Sequence, residues 1–251
     1  MIHDIMIDIF DSHNKPFVMK ALSIWHILYL FLIIVLTVLF SLKLHNKPKE
    51  KVEKALKIMA SLILGLYILD FFAMPLSSGT IYIDKLPFHF CTVAGILIFL
   101  TRFNQKLTKY RDCVTVLGIV GTLMYIVYPS SAFTNSPSPF SYQVLQTFSF
   151  HGLLLINGVV SLTTGDTKLS FKKFYEIVCL IIIVMLWGAF ANAVYSHGTQ
   201  QFDWCFIRGL YFPALPGNWM ILGVFFAFSA SSALIYLIYY LIERKLTKQN
   251  N

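Results

Sequence analysis

Residues 27–72 read ILYLFLIIVLTVLFSLKLHNKPKEKVEKALKIMASLILGLYILDFF. Two apolar runs flank a short stretch that holds Lys43, Lys47, Lys49, Lys51, Lys54 and Lys57. Each run approaches the ~20 residues that cross ~30 Å of hydrocarbon at a rise of ~1.5 Å per residue. Cytoplasmic loops attract Lys and Arg, so the cation-rich stretch marks the inner side. The first helix is therefore expected to enter from outside and the second to return.

The same pattern continues along the chain. Apolar segments at 22–42, 57–76, 87–103, 112–129, 142–163, 174–195 and 219–242 predict an all-α, polytopic membrane protein with a seven-helix bundle. Arg102, Lys106, Lys109 and Arg111 fill the third connection. Lys168, Lys172 and Lys173 fill the fifth, and Arg244, Lys245 and Lys248 the tail. Sixteen of the 20 Lys and Arg residues thus fall on one side, against Lys15, Lys20, Lys85 and Arg208 on the other. This split predicts an outer N-terminus and a cytoplasmic C-terminus. The implied parts are an extracellular or interfacial segment 1–21, a transmembrane domain 22–242 and a cytoplasmic tail 243–251.

Composition narrows the function. With 57% hydrophobic and 13% charged residues, the chain is too apolar for a soluble domain. The net charge of +8 sits in short inner loops, where topology and anionic headgroups account for it, so nucleic acid is excluded as a partner. The start is acidic (Asp4, Asp8, Asp11), unlike a secretory signal. Ile2, Ile5, Met6, Ile9 and Phe10 recur at helical spacing, as in a helix lying on the interface; an unstructured acidic tail is the alternative. The aromatic connection 196–218 is expected to fold back over the bundle. The four cysteines show no zinc spacing. A disulfide between Cys91 and Cys205, both on the outer side, is one option that spacing cannot decide.

Polar residues gather in the outer half. His26 lies in the first helix, Asp70 in the second, His89 and Cys91 at the start of the third, His151 in the fifth and Asn192 in the sixth. Ionisable groups cost several kcal/mol against lipid, so these should face inward or toward water. For each there is a plainer role. His26 and His89 could be interface histidines, Asp70 a partner for a histidine, Asn192 interhelical glue and Cys91 a small apolar residue. His151 is harder to explain that way. It lies roughly 13 Å into its helix by helical rise, beneath Gln143 and Thr147 on one face, with Gln146 beside them. His89 and Cys91 point apart on a regular helix. Ala94 and Gly95 leave space below Cys91 for an acyl chain.

Leu86-Pro87-Phe88-His89-Phe90-Cys91 resembles the Leu-Pro-x-His-x-Cys start of the third helix in bacterial YwaF-type membrane proteins, which are related to eukaryotic transmembrane protein 164. His26, Gly121-Thr122-Leu123, Pro129, Phe150-His151-Gly152 and Asn192 extend the resemblance over most of 22–242. It implies a seven-helix fold and, from the eukaryotic branch, an acyltransferase whose nucleophile stands at Cys91. Thr92 departs from the acidic residue that many bacterial relatives carry there, which bears on the electrostatics of the site.

The expectation is a cell-membrane lipid acyltransferase or transacylase, with ester hydrolysis as a close variant. Cys91 would take an acyl group from an outer-leaflet phospholipid as a thioester and pass it to a lysolipid or lipoprotein acceptor. His151, or else His26, would be the base. His89 would orient substrate or stabilise developing charge, and Asp70 would fix a histidine tautomer. Gln143, Thr147 and Asn192 would line the substrate path. No cofactor is implied. The rival readings are a non-enzymatic lipid-binding or transport protein, and a metal site made of His26, His89 and His151.

Overall fold

The computed structural model describes residues 19–78, 83–127, 138–198, 201–209 and 219–249. The expected helix at the N-terminus, Pro129, Pro137 and the Tyr211–Pro216 part of the last connection lie outside these residues. Among the described residues there are seven long α-helices and no β-strand: α1 (Ile24–His45), α2 (Lys49–Ser78), α3 (Phe90–Phe103), α4 (Arg111–Val127), α5 (Tyr142–Thr163), α6 (Phe174–Tyr195) and α7 (Trp219–Gln249). Five of them, α1, α2, α5, α6 and α7, are long and apolar enough to cross a membrane. At 14 residues α3 spans only about 21 Å. The 17 described residues of α4 carry Arg111 and Asp112 in their first turn. The structure thus supports a multi-pass membrane protein with five candidate spans, and seven crossings remain an expectation for α3 and α4.

The boundaries differ from the sequence reading by three residues or more at four places, the simplest being α1, which runs on to His45 rather than 42. The lysine stretch after Pro48 is helical, so α2 begins at Lys49 rather than 57. Proline suits a helix start because its missing N–H would be unpaired there anyway. Lys51 and Val52 donate to the Pro48 carbonyl, and Glu53 pairs with Lys57 at 3.7 Å. Val52 and Leu56 then bury against Ile156 and Val160 of α5. At the other extreme, α7 continues through the basic tail to Gln249. Finally, α3 starts at Phe90, with His89 in extended conformation as its N-cap.

Helix α5 is the centre of the molecule. Of its most apolar window 72% is buried, against 11% for α1 and 17% for α7. It packs on α1, α2 and α4; α4 also packs on α3, α6 and α7. Small residues allow these approaches. A methyl group at Gly158 of α5 would come within 2.5 Å of the Ile119 side chain on α4, so even alanine there would force that side chain to shift. The outward faces are the reverse. Ile27, Leu28, Phe31, Leu32, Ile34 and Leu39 of α1 are all exposed. A continuous apolar face of that size on a monomer marks contact with lipid rather than water.

Polar residues close one end of the bundle. The Arg102 side chain, 1% exposed, bonds Glu53 at 3.0 Å and Asp166 at 2.8 Å. It also donates to Ser161 at 2.9 Å. Arg111 reaches the same two carboxylates at 3.4–3.5 Å. Four elements are thereby tied together: α2, α3, α4 and the turn after α5. The Cys91 end lies at the opposite end of α3.

Candidate functional site

His151 projects from the central helix into protein. Its Nδ1 donates to the Thr147 carbonyl at 2.8 Å, one turn back on α5. A carbonyl only accepts, so in the neutral ring the proton is on Nδ1 and Nε2 holds a lone pair. That Nε2 is buried and has no hydrogen-bond partner. The ring is 6% exposed and stacks on Tyr125 of α4 with centroids 4.0 Å apart and planes within 9°. A buried polar atom without a partner costs about 1–3 kcal/mol, which makes it a natural place for a group that arrives later.

His89 carries the opposite tautomer. The Cys205 N–H donates to its Nδ1 at 3.3 Å, which leaves Nε2 as the N–H donor of the neutral ring. Two main-chain groups thus set one histidine to accept and the other to donate. Asp70 does not fix a histidine as expected. It pairs with Lys85 at 3.0 Å instead, where the ammonium can reach it from the 3₁₀ turn Ile83–Lys85. Burial pulls the Lys85 ammonium down. The charge and hydrogen bond of Asp70, helped by Asp84, outweigh that and hold it above the ordinary lysine value.

Lys85 was read from the sequence as one of four outer cations and no more. In the structure it pairs with Asp70 of α2 just before the start of α3, at the Cys91 end of that helix. The signal that could have found it was position: a lysine two residues before Pro87 stands at the mouth of α3. Cys91 is half-buried one residue into α3 and packs against the main core. Its peptide abuts α4, where a methyl group at Gly121 would lie 3.6 Å from the Cys91 nitrogen. Tyr125 is one turn further along the same helix, stacked on His151. Helix α4 therefore presents Cys91 and His151 along one stretch of its surface.

Other expectations change. His89 is outside the helix, so the argument that it must point away from Cys91 does not apply. The space foreseen below Cys91 is filled: a methyl group at Gly95 would lie 3.1 Å from Ile63 and 3.2 Å from Phe150. Small residues here bring helices together rather than leave a groove. The four cysteines are free thiols. Cys205 donates its S–H to the Phe88 carbonyl at 3.1 Å, so Cys91 and Cys205 form no disulfide.

His26 uses both ring nitrogens inside the protein. Leu22 N–H donates to Nδ1 at 3.0 Å, and Nε2 donates to the Ile126 carbonyl at 2.8 Å. This ties α1 to the end of α4 and leaves no ring nitrogen to complete a three-histidine metal site. Thr147 serves His151 through its carbonyl, while its hydroxyl donates to Gln146 at 3.4 Å. Gln146 in turn donates to Leu66 of α2 at 3.4 Å. Gln143 is half-buried one turn above Thr147.

Asn192 holds the connection that follows α6. Its amide donates to the Trp204 carbonyl at 3.1 Å and its carbonyl accepts from Trp204 N–H at 2.8 Å. Trp204 and Cys205 are buried, so the described part of this connection folds back over the bundle as expected. Cys205 has φ +61°, a left-handed conformation unusual for a non-glycine residue. The clamp and the contact with His89 hold it there. Gly188 makes the approach feasible, since a methyl group there would lie 2.8 Å from the Cys205 sulfur.

The sequence profile of the TMEM164 family matches residues 21–242. The chain belongs to that family. No curated protein and no solved structure matches it.

Proposed function

We propose that this membrane protein is a lipid acyltransferase that works through a thioester on Cys91, at a site facing the outer leaflet. The observation that carries the reading is the opposed setting of two histidines, His89 two residues before Cys91 and His151 stacked on Tyr125, one turn along α4 from the Gly121 that the Cys91 peptide abuts. His151 offers a lone pair in a dry site and His89 offers a hydrogen. General-base catalysis and oxyanion stabilisation need those two settings.

In the first half-reaction His151 Nε2 takes the Cys91 proton, and the thiolate attacks the ester carbonyl of a phospholipid. His89 Nε2–H donates to the oxyanion of the tetrahedral intermediate. Its collapse breaks the C–O bond, and the departing lysolipid oxygen takes the proton from His151. The acyl group remains on sulfur. In the second half His151 deprotonates the hydroxyl or amine of a lysolipid or lipoprotein, which attacks the thioester; the C–S bond breaks and the Cys91 sulfur takes the proton back from His151. Water in place of the acceptor gives hydrolysis. An outward-facing site favours phospholipid over cytosolic acyl thioesters as donor.

Intact-mass measurement on purified protein incubated with phospholipid vesicles tests this. Wild type should gain one acyl mass, removable by hydroxylamine, and Cys91→Ser should not. Bound phospholipid without a covalent adduct, together with full function in Cys91→Ser, would leave a lipid-binding protein instead.

A further inference from the structure

A second cluster lies far along α4 from Tyr125, in that helix's first turn. Asp112 and Cys113 project from α4 toward Glu176 in the first turn of α6. One ligand atom from each of the three lies within 4.8 Å of the other two. Asp112 is 6% exposed, and its Oδ2 meets Lys173 at 3.4 Å. Its Oδ1 and the Oε2 of Glu176 are buried without a hydrogen-bond partner.

A separate element adds to this. Tyr236 on α7 is 1% exposed, wedged by its ring against Phe171 and Phe174. Its hydroxyl is also buried without a partner, and its ring lies 5.3 Å from that of Phe174, two residues before Glu176. Each orphaned oxygen costs about 1–3 kcal/mol, so three on neighbouring helices call for a shared partner. Lys173 has a half-exposed side chain and engages only the other oxygen of Asp112.

We infer that Asp112, Cys113 and Glu176 form a binding site for a divalent transition-metal ion of the zinc class, oriented by Tyr236 and joining α4, α6 and α7. A thiolate beside two carboxylates selects Zn2+ over Mg2+ or Ca2+, which prefer oxygen alone. Bonds of about 2.0–2.3 Å in a tetrahedron put ligand atoms about 3.3–3.7 Å apart, so modest side-chain movement closes the observed group. Cys113 now donates its S–H to the Tyr110 carbonyl at 3.1 Å. On binding, the S–H bond breaks, the proton leaves to solvent and sulfur bonds the metal. The ion's two positive charges then face three negative ligands, with Lys173 adjacent. Tyr236 donates its hydroxyl hydrogen to a ligating carboxylate, the outer support such ligands usually have.

The test uses full-length protein in detergent, stripped with chelator and reloaded with Zn2+ or Co2+. Reloaded wild type should hold about one ion per chain and melt higher than the stripped form. The Co2+ form should show a thiolate-to-metal charge-transfer band that Cys113→Ser lacks. Tyr236→Phe should fold, and should weaken Zn2+ binding about 10–100-fold. Wild type that binds no stoichiometric ion would overturn the site. So would a Co2+ spectrum unchanged in Cys113→Ser, or equal Zn2+ affinity in Asp112→Asn.

Discussion

His151 owes its proposed role to a main-chain carbonyl. The bond from Nδ1 to Thr147 survives any change in the Thr147 side chain, so Thr147→Val should leave the tautomer and most transfer activity intact. His151→Ala should lower acyl transfer about 10²–10⁴-fold, the range of general-base catalysis, while phospholipid still binds. Rates of thioester formation and retained lipid measure the two effects separately; a loss below about tenfold would make His151 structural. At this scale the sequence exposed Cys91, His89 and His151, because a polar atom inside an apolar run stands out. It hid Lys85, whose charge looked like loop charge, and the Asp70 pairing, because sequence depth does not say which of several neighbours a carboxylate meets.

The connection Trp204–Phe206 behaves as a fitted part of the site, held by Asn192 and seated in the space that Gly188 leaves. Gly188→Ala should destabilise by about 1–3 kcal/mol, the usual cost of overpacking. Adding Cys205→Ala should recover much of that, because the two changes meet at one contact. A double-mutant cycle on melting temperature reads the coupling, and additive losses would sink the account. Most helix limits were legible to within two residues, since apolar length is written directly in the chain. The early start of α2 was not. Its lysines obscured Val52 and Leu56, which bury on the face toward α5. The short α3 was also missed, because Pro87 and Phe88 read as helix although His89 caps the helix only afterwards.

The 16-to-4 distribution of cations makes orientation a property of the whole molecule. Single cysteines added in 104–110 and 168–172 should resist impermeant thiol reagents in intact cells, and one at Ser136, outside the described residues, should label. Labelling of the first two would reverse the orientation and move the proposed site to the cytoplasm. The closed end of the bundle makes a different forecast. Burial alone would raise the Asp166 carboxyl, but the Arg102 charge, the Ser161 bond and Arg111 hold it below the ordinary aspartate value. Its contribution is complete above about pH 4 and fades as pH falls through the lower folded value. Asp166→Asn should cost on the order of 3 kcal/mol near neutrality by leaving Arg102 less compensated. The gap in melting temperature from wild type should narrow on acidification; a constant gap would refute the ion-pair account. The sequence showed these arginines only as topology signals, because their partners lie 49 to 64 positions away for Arg102 and 55 to 58 for Arg111. Helix α5 carries one further consequence, for how the protein is made. It is the least apolar of the five candidate spans, at a mean hydropathy of 1.4, and the most enclosed. Its packing partners α1, α2 and α4 all precede it in the chain. When α5 leaves the ribosome, the walls of its berth have already been synthesised, so its histidine and amides need not wait in lipid for helices still to come.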